Sequence, residues 1–384
     1  MKKLAIVGAQ RMAKNYAINA REMGVETHCF AWPKGAVAKD CVDHFYPISI
    51  FEVEQIISVC RSIGIDGVVS TSELTIPVAA QVAAQLGLNG IDVETAKVIT
   101  NKFRNRVASA GVDGLEQPKY ACVGSVADVV AAGLEYPLVL KPVAEGGKRG
   151  VSVVNSSDEL DRAFIYAGDE SKDGEAAIAE EFISGGREFS VESLSYHNRH
   201  EVIQVTEKIS SGPPHCVELG HVQPARISET LRAKIKAVIP YALDAIGYAN
   251  GPSHTEIKIV GEKIYLIEFN VRPGGDFISY PLIDLSSGYH YLQAAIGIAL
   301  DDFKFNQAKL SKDCNFAGVV FITEQTRSIL PIFNSCDSAS WLYRKNVAGN
   351  LKMLTHNDCD ASNYIIWRSV GSVPKELEDV YNRQ

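Results

Sequence analysis

Apolar and polar positions in the first hundred residues alternate between two rhythms. Lys3 to Val7 is a short apolar run closed by Gly8, and residues 12–23 then carry helical spacing up to Gly24. Val25 to Trp32 predicts a second strand. Phe51, Ile56, Ile57, Val59 and Ile63 repeat with helical period before Gly64. Ile65 to Val69 then predicts a buried strand, and residues 77–86 a helix ended by Gly87. Continuous apolar strands separated by helices imply a parallel sheet covered on both faces.

Beyond residue 95 the rhythm changes. Residues 95–110 predict one helix carrying Lys97, Lys102, Arg104 and Arg106, with Gly111 past its end. Strands follow at 120–123, 138–141 and 151–154, then a helix near Ser157 with Asp158 and Glu159 in its first turn. Alternating strands come at 188–195, 201–206, 254–260 and 263–269, the signature of antiparallel hairpins in an α+β region. Three units are expected: a Rossmann-like layer over 1–95, a central region over 96–300, and a closing segment over 301–384. The last has strands near 316–322 and 363–368 and no readable chemistry. The turn Gly8-Ala9-Gln10-Arg11-Met12-Ala13 lacks the further glycines that bring a dinucleotide pyrophosphate onto a helix, so the layer carries no NAD signature.

Composition narrows the classes. The 384 residues hold 38 Lys+Arg against 46 Asp+Glu, a net charge of −8. That balance argues against a nucleic-acid coat, which needs a broad basic face, while leaving room for a local anion site. The eight cysteines show no Cys-x-x-Cys or zinc-finger spacing, as expected of reduced thiols. Neither a secretory leader nor a membrane-length apolar run is present in the sequence, so a cytoplasmic protein with no membrane partner is expected.

Three stretches carry candidate chemistry. Lys141 ends a buried apolar strand, where an ammonium needs an anion or carboxylate. Four residues on, Glu145-Gly146-Gly147-Lys148-Arg149-Gly150 reads as a loop whose backbone N–H groups and charges could face phosphate, or as a hairpin turn with solvated charges. Glu180 to Ile183 joins through Gly185-Gly186 to a strand bearing Glu188. That stretch suits an adenine connector or a charged edge strand equally. Finally, Glu256 and Glu268 fall nearly opposite each other in a hairpin turned by Gly261-Glu262, with Asn270 on the same face as Glu268. Two carboxylates and an amide oxygen converging this way suit Mg²⁺, and Arg272 follows two residues later.

In this order, Lys102, Lys141, the loop 145–150, the connector 180–188 and Glu256…Glu268-x-Asn270-x-Arg272 resemble the motifs of the ATP-grasp superfamily. The resemblance implies a Rossmann-like domain followed by an ATP-grasp fold, with residues 121–184 forming a mobile lid over ATP. It places Lys102, Lys141, Gly146, Gly147 and Lys148 at the phosphates, and Glu180, Glu181, Phe182 and Ile183 along the adenine. Glu188 would take the ribose, although Gly185-Gly186 departs from the family's register by one residue. Glu256, Glu268 and Asn270 would hold Mg²⁺ or Mn²⁺.

The loop Pro213 to Ala225 and the phrase Gly251-Pro252-Ser253-His254-Thr255-Glu256 further resemble the carboxylate–amine ligase branch that contains the L-amino-acid ligases. That branch implies Glu218 and His221 at an amino-acid site, with Arg272 stabilising the reacting centre. Asp276, close after Arg272, would favour a cationic substrate group. The expected catalytic residues are thus Arg272, Lys141 and His221, and the expected substrate residues Glu218, His221, Arg272 and Asp276. The expected activity is amide-bond formation between small molecules, namely amino acids, through an acyl phosphate. A purine-pathway or carboxylase-type relative and a non-catalytic ATP-binding module are the alternatives. The superfamily also implies a possible homodimer.

Overall fold

The computed structural model describes residues 1–147, 149–171, 176–213, 216–305, 315–356 and 362–382. Its first sheet is parallel, in the order β3-β2-β1-β4. The chain builds it as β1 (Lys3–Val7), α1 (Arg11–Glu22), β2 (Glu26–Phe30), β3 (His44–Tyr46), α2 (Val53–Ile63), β4 (Gly67–Ser70) and α3 (Ile76–Leu86). Leu4 to Val7 are all fully buried, because α2 and α3 cover the face of Ala5 and Val7 while α1 covers that of Leu4 and Ile6. This is the layer expected from uninterrupted apolar strands.

The single helix expected over 95–110 is in fact two, α4 (Val93–Ile99) and α5 (Lys102–Ala108). The Asn101 side chain accepts from Arg104 N, 3.0 Å away, and so caps a second helix start. The break places Lys102 at the first position of α5.

A second, antiparallel sheet has the order β5-β8-β6-β7. It comprises β5 (Tyr120–Val123), α6 (Val126–Ala131), β6 (Leu138–Pro142), β7 (Ser152–Val154), α7 (Leu160–Glu170) and β8 (Ala177–Glu181). Its own small core includes Val123, Leu138, Leu140, Val154 and Leu160.

The third sheet has eight strands in the order β13-β12-β9-β10-β11-β14-β16-β15. Its elements are β9 (Arg187–Tyr196), β10 (Arg199–Ser210), β11 (Glu218–Gln223), α8 (Glu229–Ala245), β12 (Gly251–Val260), β13 (Lys263–Asn270), α9 (Ile283–Ser287), α10 (Tyr291–Ala299), β14 (Asn315–Ile322), α11 (Leu330–Ser335), β15 (Leu342–Asn346), β16 (Asn363–Val370) and α12 (Glu378–Tyr381). The closing segment extends this same sheet, through β14 on β11. Residues 218–223, read from sequence as part of a loop, form a fully buried strand. The pattern hides it because its polar side chains are paired inside: Gln223 Nε2 donates to Thr206 Oγ1 at 2.9 Å and to Ile278 O at 3.1 Å. The helix α8 also went unread.

The parallel layer meets the rest of the chain through α10, which packs beside α1. At the start of β4, a Cβ on Gly67 would lie 2.5 Å from the Ala299 carbonyl oxygen at the end of α10. Gly67→Ala is therefore expected to destabilise the protein by about 1–3 kcal/mol, from overpacking against backbone. Urea unfolding of the two proteins checks it. Six cysteines among the described residues are free thiols. No helix among the described residues is long and apolar enough to cross a membrane.

Candidate functional site

The two antiparallel sheets and the carboxyl edge of the parallel layer enclose a cavity of about 670 Å³. One end is lined by Lys102, Lys141, Glu180 to Ile183 and Glu188. The other end is lined by Gln10, Arg11, Ser72, Glu73, Glu218 and Asp276, and between them lie Lys208, Glu256, Glu268, Asn270 and Arg272. Apart from His221, which does not line it, and Lys148, which lies outside the described residues, the residues predicted as one site from positions 102 to 276 thus reach one space.

At the first end, Glu180 is the counter-ion of two cations. Lys141 Nζ lies 2.7 Å from Glu180 Oε2, and Arg106 donates through Nε to Oε1 at 2.7 Å and through Nη2 to Oε2 at 3.2 Å. Burial alone would raise the Glu180 carboxyl, but Lys141 and Arg106 outweigh it and hold the group at about 2. Burial pulls Lys141 below the ordinary lysine range, and Glu180, shared with Arg106, offsets that only in part. Arg106 also donates to the carbonyls of Leu266 and Ile267, tying β8 to β13. Glu180 therefore presents its side chain to cations, in addition to any backbone role.

The connector that follows is open to the cavity. Ile183 O accepts from Lys258 Nζ at 2.8 Å, and that ammonium lies 5.4 Å from the Phe182 ring centre. The Glu181 carboxylate is exposed and accepts from Lys119 N. Glu188 pairs in register with Lys208 on one side and Lys258 on the other. Lys102 Nζ donates to Glu145 O and lies 2.9 Å from Glu268 Oε1, so the glycine loop is anchored at its start to the β13 carboxylate. A Cβ on Gly146 would come within 3.0 Å of the Glu73 carboxylate, so the loop lies directly against the parallel layer. Gly147 turns with φ +67° at the surface. Lys148 lies outside the described residues.

The hairpin has the register expected from its short turn: Glu256 faces Glu268 and His254 faces Asn270. Four side chains thus share one face. Like-charged cross-strand carboxylates repel without a cation. Here Lys208 stands 3.1 Å from Glu256 and Lys102 balances Glu268. Glu256, Glu268 and Asn270 offer hard oxygen donors on a common face, a set that fits a divalent cation such as Mg²⁺. Behind them, His254 Nδ1 lies 2.6 Å from fully buried Glu192, which also accepts from Gly274 N and Ser279 Oγ. Burial would lower His254, but Glu192 outweighs it and lifts the imidazole to about 9. A Cβ on Gly274 would meet His254 Nδ1 at 2.6 Å, so only glycine lets the 273–275 turn close on this pair.

Arg272 is half-buried and ion-paired with Glu73, 199 residues earlier, and its Nη1 donates to Pro273 O at 2.8 Å. Burial opposes charge on both partners. Each outweighs it in the other, holding Glu73 at about 2 and Arg272 above its ordinary range.

At the second end, ligand atoms of Glu218, His221 and Asp276 lie within 4.8 Å of one another. Glu218 Oε1 is 2.5 Å from Lys208 Nζ, and its Oε2 is 3.0 Å from His221 Nε2. His221 is fully buried behind Glu218, edge-on to Phe321, and backs the carboxylate instead of forming the cavity wall. Asp276 and Phe277 both adopt positive φ, 47° and 70°, a strained pair held where the Arg11 guanidinium stacks 4.5 Å over Phe277.

Sequence reasoning missed Arg106, Lys208, Glu73 and Arg11 as site groups. Lys208 had a signal, an ammonium inside an apolar strand, as at Lys141. The others are ordinary surface-helix or loop charges until their partners are known. A separate cluster, Glu26, His28 and His44, lies on the parallel sheet. Its two imidazoles stack at 4.6 Å and 16°, so one cation cannot lie in both ring planes.

Residues 134–280 match the ATP-grasp domain family. The chain carries an ATP-grasp domain. Its mixed α/β architecture, a Rossmann-like layer followed by two antiparallel sheets, is the ATP-grasp fold. A formate-dependent phosphoribosylglycinamide formyltransferase from a Nitratiruptor species is 25% identical over 284 residues, 71% of this chain and 70% of that one. The alanine–anticapsin ligase of Bacillus subtilis is 28% identical over 230 residues, 54% of this chain and 48% of that one. Among solved structures, an L-amino acid ligase from Bacillus licheniformis superposes with TM-score 0.80 at 24% identity, covering 100% of this chain and 96% of that one. An N5-carboxyaminoimidazole ribonucleotide synthetase in its ADP complex gives TM-score 0.78 at 19% identity, covering 100% and 97%. At those identities the structural likeness is one of fold.

Proposed function

We propose that this ATP-grasp protein is an ATP- and Mg²⁺-dependent carboxylate–amine ligase that joins two amino acids through an acyl phosphate. The observation that carries the reading is the polarity of the cavity. Lys102 and Lys141 lie at one end, an acidic cluster of Glu218 and Asp276 at the other, and the oxygen donors and Arg272 between. A zwitterionic substrate needs both an acidic group for its ammonium and a cation for its carboxylate.

In this reading Lys102 and Lys141 bind the phosphates, the 181–183 connector takes the adenine and Glu188 the ribose. Glu256, Glu268 and Asn270 would hold the divalent cation, which would supply positive charge to offset that of the phosphoryl group. The acid's carboxylate oxygen attacks the γ-phosphorus and the bond to the β-phosphate oxygen breaks, leaving ADP and an acyl phosphate. The amine then attacks the acyl carbon. Its proton passes to a carboxylate of the Glu218–Asp276 end as the C–O bond to phosphate breaks. Arg272, exchanging Glu73 for the developing oxyanion, stabilises that intermediate. Residues 121–184 serve as the lid that excludes water from the acyl phosphate.

The test is a phosphate-release screen of pairwise L-amino acids with ATP and Mg²⁺, with products identified by mass. Turnover with formate or bicarbonate and a phosphoribosylated amine, and with no amino-acid pair, would replace this reading. That second reading is favoured by the formyltransferase relatives, which match most of the chain. Within the leading reading, Asp276→Asn is expected to lower kcat/KM for cationic amino acids by about tenfold, while neutral ones change little, since one charge pair in a partly wet site is involved.

A further inference from the structure

Lys208 is the group at the centre of the site that no role above uses. It projects from β10 into the cavity wall, 2% exposed, with its ammonium 2.5 Å from Glu218 on β11 and 3.1 Å from Glu256 on β12. Two features make the arrangement chemically unequal. Glu218 is held from behind, because its other oxygen contacts the buried His221. Glu256 is the looser partner: the same oxygen lies 3.1 Å from Lys208 and 3.3 Å from His254 Nε2, so His254 still holds the carboxylate if Lys208 leaves, and the side chain belongs to the oxygen face with Glu268 and Asn270. A carboxylate that ligates a divalent cation cannot keep an ammonium at the same time without strong cation–cation repulsion. An ammonium has three donors, so one released from Glu256 can turn to another anion while the group stays on Glu218.

We infer that Lys208 is an exchangeable counter-ion. Glu256 gives it up on taking the divalent cation, and the released ammonium, still tethered by Glu218, binds the carboxylate of the acid substrate and then its acyl phosphate. The second half rests on the ligase reading; the first does not. Glu256 is thereby kept neutralised and ready in the empty enzyme. The acid substrate gains this second cation, beside Arg272, only once the metal face is filled, so an order of binding is built into one side chain.

The test uses wild type, Lys208→Met and Lys208→Arg, with thermal melting to establish folding. Calorimetric titration of Mg²⁺ into protein saturated with a non-hydrolysable ATP analogue should show binding about tenfold tighter in Lys208→Met, because the competing cation is gone, and near wild type in Lys208→Arg. Unchanged or weaker Mg²⁺ binding in folded Lys208→Met overturns the exchange. Should that variant not fold, Lys208→Met/Glu218→Gln removes one charge of each sign and is judged by the same titration. With an active amino-acid pair, Lys208→Met should raise KM for the acid substrate about tenfold while KM for ATP stays within about twofold, and Lys208→Arg should restore most of it. An equal rise in every KM would reduce Lys208 to a structural ion pair. If no pair turns over, the ligase reading fails while the Mg²⁺ titration still decides the exchange.

Discussion

Under the proposed function, Glu268→Gln is expected to lower ATP turnover by at least about a thousandfold while leaving the protein folded, because it would remove a charged oxygen ligand of the proposed cation site, where phosphoryl charge builds up. Glu268 sits on β13 directly across from Glu256, with its carboxylate toward the cavity and Lys102 beside it. Glutamine keeps the length and one oxygen but halves the negative charge of the Glu256–Glu268 face. Lys102 retains the Glu145 carbonyl, so the fold should lose no more than about 1–2 kcal/mol, a partly exposed pair being worth little more. ADP formation and a melting curve are the two measurements. Near wild-type turnover would mean that the cation is held elsewhere, and a collapsed melt that Glu268 is needed for folding.

Arg106→Met is expected to cost about 3–5 kcal/mol of stability, the range for breaking a buried ion pair from one side. The guanidinium is 2% exposed and makes four hydrogen bonds, two to Glu180 and one each to the carbonyls of Leu266 and Ile267. Methionine fills much of the volume, yet it removes the donor from the buried Leu266 carbonyl and the half-buried Ile267 carbonyl and leaves Glu180 with Lys141 alone. The pH dependence supplies an independent check. Glu180 is held at about 2 in the fold against 4.5 when unperturbed, so its contribution is present in full above about pH 4.5 and is lost as pH falls toward 2. That gap corresponds to about 3 kcal/mol, shared between Lys141 and Arg106. In Arg106→Met the Glu180 carboxyl moves up, so its share of the acid loss should shrink. Denaturant midpoints of both proteins between about pH 3 and pH 7 would show it. An unchanged acid slope in a destabilised variant would mean that Arg106 acts only through Leu266 and Ile267.

Both variants touch residues whose importance was unequally visible in the chain. Glu268-x-Asn270-x-Arg272 stood out because strand alternation and a two-residue turn force those side chains onto known faces. Arg106 was one of four basic residues on an expected helix, and nothing local separates it from Arg104, which is exposed. Its meaning comes from Glu180, 74 residues away, and from carbonyls about 160 residues away. Glu73 is similar: in a Thr-Ser-Glu turn it looks like a helix-start carboxylate, and only folding sets it on Arg272.

The sequence by itself determined the parallel layer, the antiparallel hairpins, and the order of lysines, glycine loop and oxygen donors. The first two follow from periodicity within a dozen residues, and the third from a resemblance of motifs spread between Lys102 and Arg272. The tertiary structure alone decided that 218–223 is a strand, that α4 and α5 part at Asn101, and which charges meet. Sheet order is the physical reason. Placing β9 and β10 between β12 and β11 brings Glu218 and Glu256 onto the one ammonium of Lys208, and burial then makes those pairings strong. No local pattern encodes which strands become neighbours.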